Sequence, residues 1–451
     1  MKTLTKIALK KVSFETSSTQ KKYSEFTFLD LFSGIGGFRI PMEKLGGKCI
    51  GYSEIDKQAI QVYKNNFPTS KEISFGDIKQ LDRLDINIDI FTGGVPCQSW
   101  SIAGKGEGFR DPRGALWFKV IELVAINRPK AFIFENVKGL AEPRNRDSLN
   151  YITNSFEAVG YTTKYKILNS YDFGLPQDRD RVFIVGIRKD LENHCYFRFP
   201  EPLNVNPKIS DYINNINSAD VVKTKFDSNA LFKGRVPGSR GRFQKNDELN
   251  DFFTFADIRD GHTTIHSWDI ISTTAREKLI CYTLLRNRRK KKYGEKDGNP
   301  LLFKDLNFLI EDLKESELTK LMDKSILKII PSKGYEFVNS KISSGINGVA
   351  KILLPHADVV GTLTATGTRD YISTISIPCQ EPSEYRQTFI SEVYLKGNFR
   401  SLSSKDYARL QGFPDDFVMA ANESTAKKQF GNAVSIPVIY YLAQEVIKII
   451  R

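Results

Sequence analysis

The sequence predicts an α/β fold: an open parallel sheet into which a second, smaller and less regular domain is inserted. Three observations carry that expectation. From Phe26 to about Arg188, short apolar runs rich in Ile, Val and Phe alternate with longer amphipathic segments, the pattern of buried strands joined by helices. After about Phe199 the alternation decays into polar, Asn-, Lys- and Ser-rich sequence. Regular patterning returns only near the end, so the chain is expected to leave the first domain, build the second, and come back to finish the first.

In order along the chain, residues 1–25 read as a polar N-terminal extension without the continuous apolar core of a signal peptide, and are expected to be disordered. Residues 26–198 form the first domain, whose strands are "FTFLDLF", "KCIGYSEI", "IDIFTGG", "AFIFENV" and "RVFIVGI". Something small or polar sits at the C-terminal ends of the strands: "SGIGG", Glu54, "GGVPCQ" and "ENV". Parallel sheets place ligands at that edge, so these ends point to one shared site. Residues 199–395 form the basic, loop-rich second domain, and 396–451 the return. There, "SSKDYARLQGFPDDF" carries serines suited to capping a short helix, and "GNAVSIPVIYYLAQEVIKII" is a closing helix with an apolar stripe.

Composition narrows the partners. A formal charge of +13 over 451 residues suits a polyanion such as nucleic acid, although basic surfaces are also often just solvated. The five cysteines (Cys49, Cys97, Cys195, Cys281 and Cys379) are scattered, without CxxC pairs or zinc-ligand spacing, which fits free thiols in a reducing compartment and no metal. No apolar run in the sequence approaches membrane-spanning length, so a cytoplasmic protein is expected.

The chemistry lies in short motifs. "DLFSGIGGF", Asp30 to Phe38, follows the first strand and opens a helix, and its glycines let the backbone approach a ligand closely. Gly34, Gly36 and Gly37 do not fit the dinucleotide fingerprint GxGxxG. Glu54, ending the second strand, is placed to accept from both hydroxyls of a ribose. Asp77, in "FGDI", is placed to accept from an exocyclic amine while Ile78 packs on the ring. Singly, each acid reads more readily as a helix cap or a solvated loop residue; together, at successive strand ends, they point to an adenosine-containing cofactor.

Cys97 lies in a Gly-Gly-Val-Pro-Cys-Gln turn over the same edge. A nucleophilic role needs its thiolate, and hence nearby positive charge or backbone donors. The alternative, a small buried hydrophobe, suits Cys49, Cys195 and Cys379 better. Glu135 continues an apolar run into the edge, where its surroundings should raise its pKa to that of a general acid. Arg179 and Arg181, just ahead of a strand in "LPQDRDRVFIVGI", are placed to hold an anionic or carbonyl oxygen.

With these residues in hand, the sequence resembles the cytosine-5 DNA methyltransferases. "DLFSGIGG", "PCQ" at Pro96 to Gln98, "ENV" at Glu135 to Val137, "QDRDR" at Gln177 to Arg181, "RLQGFP" at Arg409 to Pro414 and "FGNAV" at Phe430 to Val434 occur in that family's order. The resemblance implies a Rossmann-like S-adenosylmethionine-dependent methyltransferase sheet with a target-recognition domain. It implies that Cys97 attacks carbon 6 of a flipped-out cytosine while Glu135 protonates ring nitrogen 3, with Arg179 and Arg181 holding the base and its backbone. For the cofactor, S-adenosyl-L-methionine, it implies Phe32, Gly34, Gly36 and Gly37 at the methionine portion, Glu54 at the ribose, and Asp77, Ile78 and Leu116 near the adenine. Pro96, Asn432 and Val434 line the same site. Ile55 stands where relatives often place an aromatic ring.

For double-stranded DNA the resemblance implies contacts from the loop after the cysteine, including Gln98, Ser101 and Arg113, and from Thr362 and Leu363 in "GTLTATGT". Arg235, Arg240 and Arg242 lie in glycine-flanked loops able to approach a groove. "RNRRKKK", Arg286 to Lys292, reads as phosphate-contacting or as a plain solvated run. His262, His266 and Trp268 read as structural or as contacting the DNA backbone. The expected role is that of a bacterial type II restriction-modification methyltransferase, monomeric, paired with a cognate endonuclease. An RNA methyltransferase on the same scaffold is disfavoured by the long middle domain. A silent DNA-binding scaffold is disfavoured by the intact Cys97, Glu135 and glycine turn, and a nucleotide-dependent oxidoreductase by the glycine spacing.

Overall fold

The structure is a computed structural model that describes residues 25–96, 109, 111, 114–213, 252–257, 264–296, 298–338, 350–355, 357, 359–365, 370–377 and 382–451. Cys97, Gln98, Ser101, Arg113, Arg235, Arg240, Arg242, His262 and Cys379 lie outside the described residues, as does almost all of the N-terminal extension. The chain divides into two compact units: Met1–Ile213 with Val359–Thr368 and Ser403–Arg451, and Asn214–Asp358 with Arg369–Leu402. Departure and final return thus fall later than the boundaries read from sequence, and the "GTLTATGT" stretch belongs to the first unit.

In the first unit, strands β1 (Phe26–Leu31), β2 (Gly47–Ser53), β3 (Ile73–Ser74), β4 (Ile90–Gly94), β5 (Ala131–Val137), β6 (Tyr161–Asn169) and β7 (Asp180–Arg188) form a seven-stranded sheet in the order β3-β2-β1-β4-β5-β7-β6. Helices α1 (Arg39–Lys44), α2 (Lys57–Asn66), α3 (Leu116–Asn127) and α4 (Arg146–Ala158) connect the parallel part. The run "AFIFEN" of β5 is buried throughout because both faces of a central parallel strand are covered.

Two expectations need correction. "RVFIVGI" is β7, but it pairs antiparallel with β5, and β6, which the apolar runs did not reveal, pairs antiparallel with β7. Only Ser170 to Arg179 separate β6 from β7, and a crossover returning a parallel neighbour needs about a dozen residues or more. β6 escapes notice because it is an edge strand whose middle, Lys164 to Lys166, is partly or fully exposed.

In the second unit, β8 (Phe252–Phe255), β9 (Thr264–Ile265), β12 (Ala350–Leu353), β13 (Asp370–Ser373) and β14 (Phe399–Ser401) form a sheet in the order β14-β13-β12-β8-β9. A hairpin of β10 (Leu327–Ile330) and β11 (Gly334–Phe337) is separate from it. Helix α5 (Ala275–Asn287) starts at a capping box, in which Glu277 accepts from the Thr274 N–H at 2.7 Å and the Thr274 hydroxyl accepts from the Glu277 N–H at 3.2 Å. Aromatic residues build the core here: Phe253 stacks on Phe389 at 4.1 Å, and the buried His266 stacks on Trp268 at 4.1 Å, a structural role.

The return supplies α6 (Ser404–Leu410), α7 (Glu423–Asn432) and α8 (Ile436–Ile450). Ser403 caps α6 as expected, its hydroxyl accepting from the Asp406 N–H at 3.2 Å. Along α8, Val438, Ile439, Leu442, Val446 and Ile447 pack into one core with Phe28, Ile133 and Val185 of the sheet. Burying each contributes roughly 1.5–3 kcal/mol. Glu423–Ile450 is long and apolar enough to cross a membrane by length and composition, but it breaks between α7 and α8, and the apolar face of α8 packs into the core. Of the thiols, Cys49 and Cys281 are buried, whereas Cys195 is exposed, against expectation.

Candidate active site

The edge formed by the C-terminal ends of β1, β2 and β3 carries a glycine turn after β1 and a carboxylate after each of β2 and β3. β1 runs into Phe32 at φ 52°, followed by Gly34 at 54° and Gly36 at 93°. Such values are costly for a side chain at Phe32, and strain of this kind tends to concentrate at functional sites. At Gly36 a Cβ would lie 2.3 Å from the Phe67 ring, so only glycine lets the turn settle there. At Gly37 a Cβ would lie 3.0 Å from Val434, so the C-terminal return packs directly on the turn.

Glu54 is held by amides from both sides of this edge. Its Oε2 accepts from the Gly34 N–H at 2.9 Å, and its Oε1 from the N–H groups of Ile55 and Asp56 at 2.8 and 2.9 Å. A carboxylate fixed in this way keeps further lone pairs for hydroxyl donors. Asp77 accepts from the Lys79 N–H at 3.0 Å beside the buried Ile78. Phe32, Pro96 and Leu116 are half-buried, Asn432 is exposed, and Ile55 is 71% exposed, with no ring at this position to stack on a base. The two carboxylate acceptors and the glycine cradle fit S-adenosylmethionine.

Beneath the turn lies a buried ionic cluster that the sequence reading missed. Arg39, 1% exposed, donates to both carboxylate oxygens of Glu72 at 2.7 and 2.6 Å and to Glu43 at 2.7 Å, with its guanidinium 4.4 Å over the Phe67 ring. Asp30, fully buried at the end of β1, has its pKa pushed up to about 8 by burial, against the pull of Arg39 and Tyr63.

The second half of the site sits at the ends of β4 and β5. Glu135 is buried, and burial raises its pKa even though Arg181 and Arg179 pull the other way. Arg181 Nε lies 2.9 Å from Glu135 Oε1. Asn136, fully buried, donates to the Val95 carbonyl at 3.0 Å and so ties β5 to the turn bearing Pro96. Cys97 follows Pro96 directly in the chain.

The two arginines expected to work together have separate partners. Arg179, 2% exposed, donates to the carbonyls of Leu363 at 2.8 Å, Gly431 at 3.1 Å and Ala433 at 2.8 Å. It joins three distant chain segments. Thr362 donates to the Asp178 carbonyl at 2.6 Å, and Leu363, fully buried, donates its N–H to Gln177 at 3.2 Å. The Leu363 side chain is packed in the protein interior. Gln177 donates to the Leu410 carbonyl at 2.8 Å, Gln411 to the Phe430 carbonyl at 3.0 Å, and Ser435 to Gln411 at 3.1 Å. Gln411 and Ser435 had one available signal, a polar residue with no charged neighbour in "LQG" and "VSI"; Asn136, beside Glu135, and Gln177, beside Asp178, had no such contrast.

Comparison with known proteins agrees with this geometry. The profile of the C-5 cytosine-specific DNA methylases matches residues 26–448. The type II methyltransferase M.HgiBI of Herpetosiphon aurantiacus is 46% identical over 93% of this chain and 96% of its own. M.NlaIV of Neisseria lactamica is 31% identical over 94% and 99%, and M.HpaII of Haemophilus parainfluenzae 30% over 96% and 93%. The solved methyltransferase EhMeth of Entamoeba histolytica shares the fold, with a TM-score of 0.51 at 16% identity over 94% of this chain and 98% of that one. A strand-end edge fitted to an adenosine cofactor, a buried acid beside the Pro-Cys turn and a match along nearly the whole chain place this protein in the C-5 cytosine-specific DNA methylase family, which transfers the methyl of S-adenosylmethionine to carbon 5 of cytosine in DNA.

Proposed function

We propose that this chain is the modification enzyme of a type II restriction-modification pair, acting in the cytoplasm as a monomer and protecting host DNA from a cognate endonuclease. The relatives named as type II methyltransferases, matched over nearly their whole length, support this role. The observation that carries the mechanism is the buried Glu135 paired with Arg181 beside the turn that leads into Cys97.

The Cys97 thiolate forms a bond to carbon 6 of the cytosine while Glu135 delivers a proton to ring nitrogen 3, which makes carbon 5 nucleophilic. S-adenosylmethionine supplies the methyl that carbon 5 takes. Loss of the carbon 5 proton to solvent water and expulsion of Cys97 as its thiolate, with the proton on ring nitrogen 3 returning to Glu135, then restore the ring. Arg181 orients Glu135 and meets the base carbonyl, and Arg179 is a positioning residue. Flipping the base from the duplex costs a few kcal/mol. Glu54 would accept from the ribose hydroxyls of the bound cofactor, Asp77 and Ile78 would hold its adenine, and Phe32 with the glycine turn and Val434 would enclose its methionine portion. Gln98, Ser101, Arg113 and Thr362 contact DNA, and Arg235, Arg240 and Arg242 read it.

Methyl transfer from labelled S-adenosylmethionine to unmethylated duplex DNA and to bulk tRNA, with base-resolution mapping, tests the reading. The expected product is 5-methylcytosine in one short DNA sequence, absent with Cys97→Ala. Label on tRNA alone would overturn it. Genomic DNA from a host expressing the protein should resist an endonuclease that cuts the mapped sequence.

A further inference from the structure

The basic run Arg286 to Lys292 is folded into a pinned turn at the end of α5. Its inward-facing residues are Asn287 and Arg288, 7% and 1% exposed. Arg288 donates to Glu336 of β11 at 2.9 Å, with both side chains buried. The Arg288 carbonyl accepts from the backbone N–H of Asn299 at 2.8 Å and from its side-chain amide at 3.2 Å. That same amide reaches the carbonyls of Gly294 and Lys296 at 3.1 and 2.8 Å.

Around this anchor Arg286, Arg289, Lys290, Lys291 and Lys292 all stand exposed. Arg286 lies 5.8 Å over the Tyr282 ring and Lys292 4.5 Å over that of Tyr293. The negative end of the α5 dipole favours cations in its last turn, which accounts for Arg286. It does not account for the lysines beyond the helix end. Cations on a turn that is already fixed can meet an anion with little further ordering cost. An ammonium is a point charge without the planar fork that reads base edges, and it suits phosphate oxygens.

We propose that this ridge binds backbone phosphates of duplex DNA and gives the second unit a sequence-independent, salt-sensitive hold on its substrate. The proposal rests on the reading of the chain as a DNA methyltransferase. It is tested by binding of a labelled random-sequence duplex, followed by fluorescence anisotropy between about 50 and about 200 mM salt. Each lost phosphate contact reduces the slope of log K against log salt by about 0.9, so Lys290→Gln/Lys291→Gln/Lys292→Gln should flatten it by up to about 2.7. A dispersed control with the same change in net charge, Lys304→Gln/Lys320→Gln/Lys405→Gln at exposed positions, should leave the slope near wild type. An unchanged slope in the clustered variant, or equal flattening in the control, would overturn the proposal. Plasmid methylation by the wild type, run in parallel, reports on the enzyme reading separately, because the ridge is judged by binding alone.

Discussion

Buried and half-buried polar groups are put to different uses in the two units. In the first, Arg179, Gln177, Gln411 and Ser435 join segments from the middle and end of the chain around one sheet edge, and Glu135 with Arg181 stands at that edge. In the second, Arg288 with Glu336 and Lys324 with Glu277 fasten neighbouring elements of one small fold. Breaking the first kind should therefore damage chemistry beyond what stability explains, and breaking the second kind should show chiefly as lost stability.

The largest expected effect is that of Glu135→Gln, which keeps the shape but not the titrating proton. Its kcat should fall by about 10²- to 10⁴-fold with a melting temperature close to wild type, and an equal loss of both would merge the two classes. Arg288→Ala should cost about 3–5 kcal/mol by leaving Glu336 buried without that partner, whereas Arg288→Met/Glu336→Leu should recover most of it. Chemical denaturation of both variants checks this, and failure of the double variant to recover would mean that the charge pair is not what matters there.

Arg181→Ala should act on pH dependence as well as on rate. Arg181 pulls the Glu135 pKa down against burial, so its removal leaves Glu135 protonated to higher pH. The limb of kcat on which Glu135 loses its proton should move to higher pH in a pH-rate profile. Asp30 gives the smallest effect. Its folded pKa of about 8 lies above the ordinary 3.8, so across that window the folded state holds a proton that the unfolded state has lost, and stability falls as pH rises. Asp30→Asn should flatten that fall in melting temperature measured from pH 4 to pH 8.

Much of the first unit was legible because a buried parallel strand leaves a continuous apolar run, and because chemistry at its end is adjacent in sequence: Glu54 after "GYS", Glu135 within "FIFENV". β6 was not legible, since an edge strand with lysines in its middle leaves no such run. Nor was the fate of Arg179, whose acceptors lie 184 and 252 residues away and follow no local spacing. In the second unit, short strands and loops held by single residues such as Asn299 give almost no periodicity to read.

The central claim, covalent catalysis on cytosine through Cys97, is met most directly by a trapping experiment. Fluorine at carbon 5 blocks the proton loss that releases the enzyme, so incubation with S-adenosylmethionine and 5-fluorocytosine-containing duplex should leave a denaturation-resistant protein–DNA adduct attached at Cys97 and absent from Cys97→Ser. No adduct with the wild type, or the same adduct with Cys97→Ser, would contradict it.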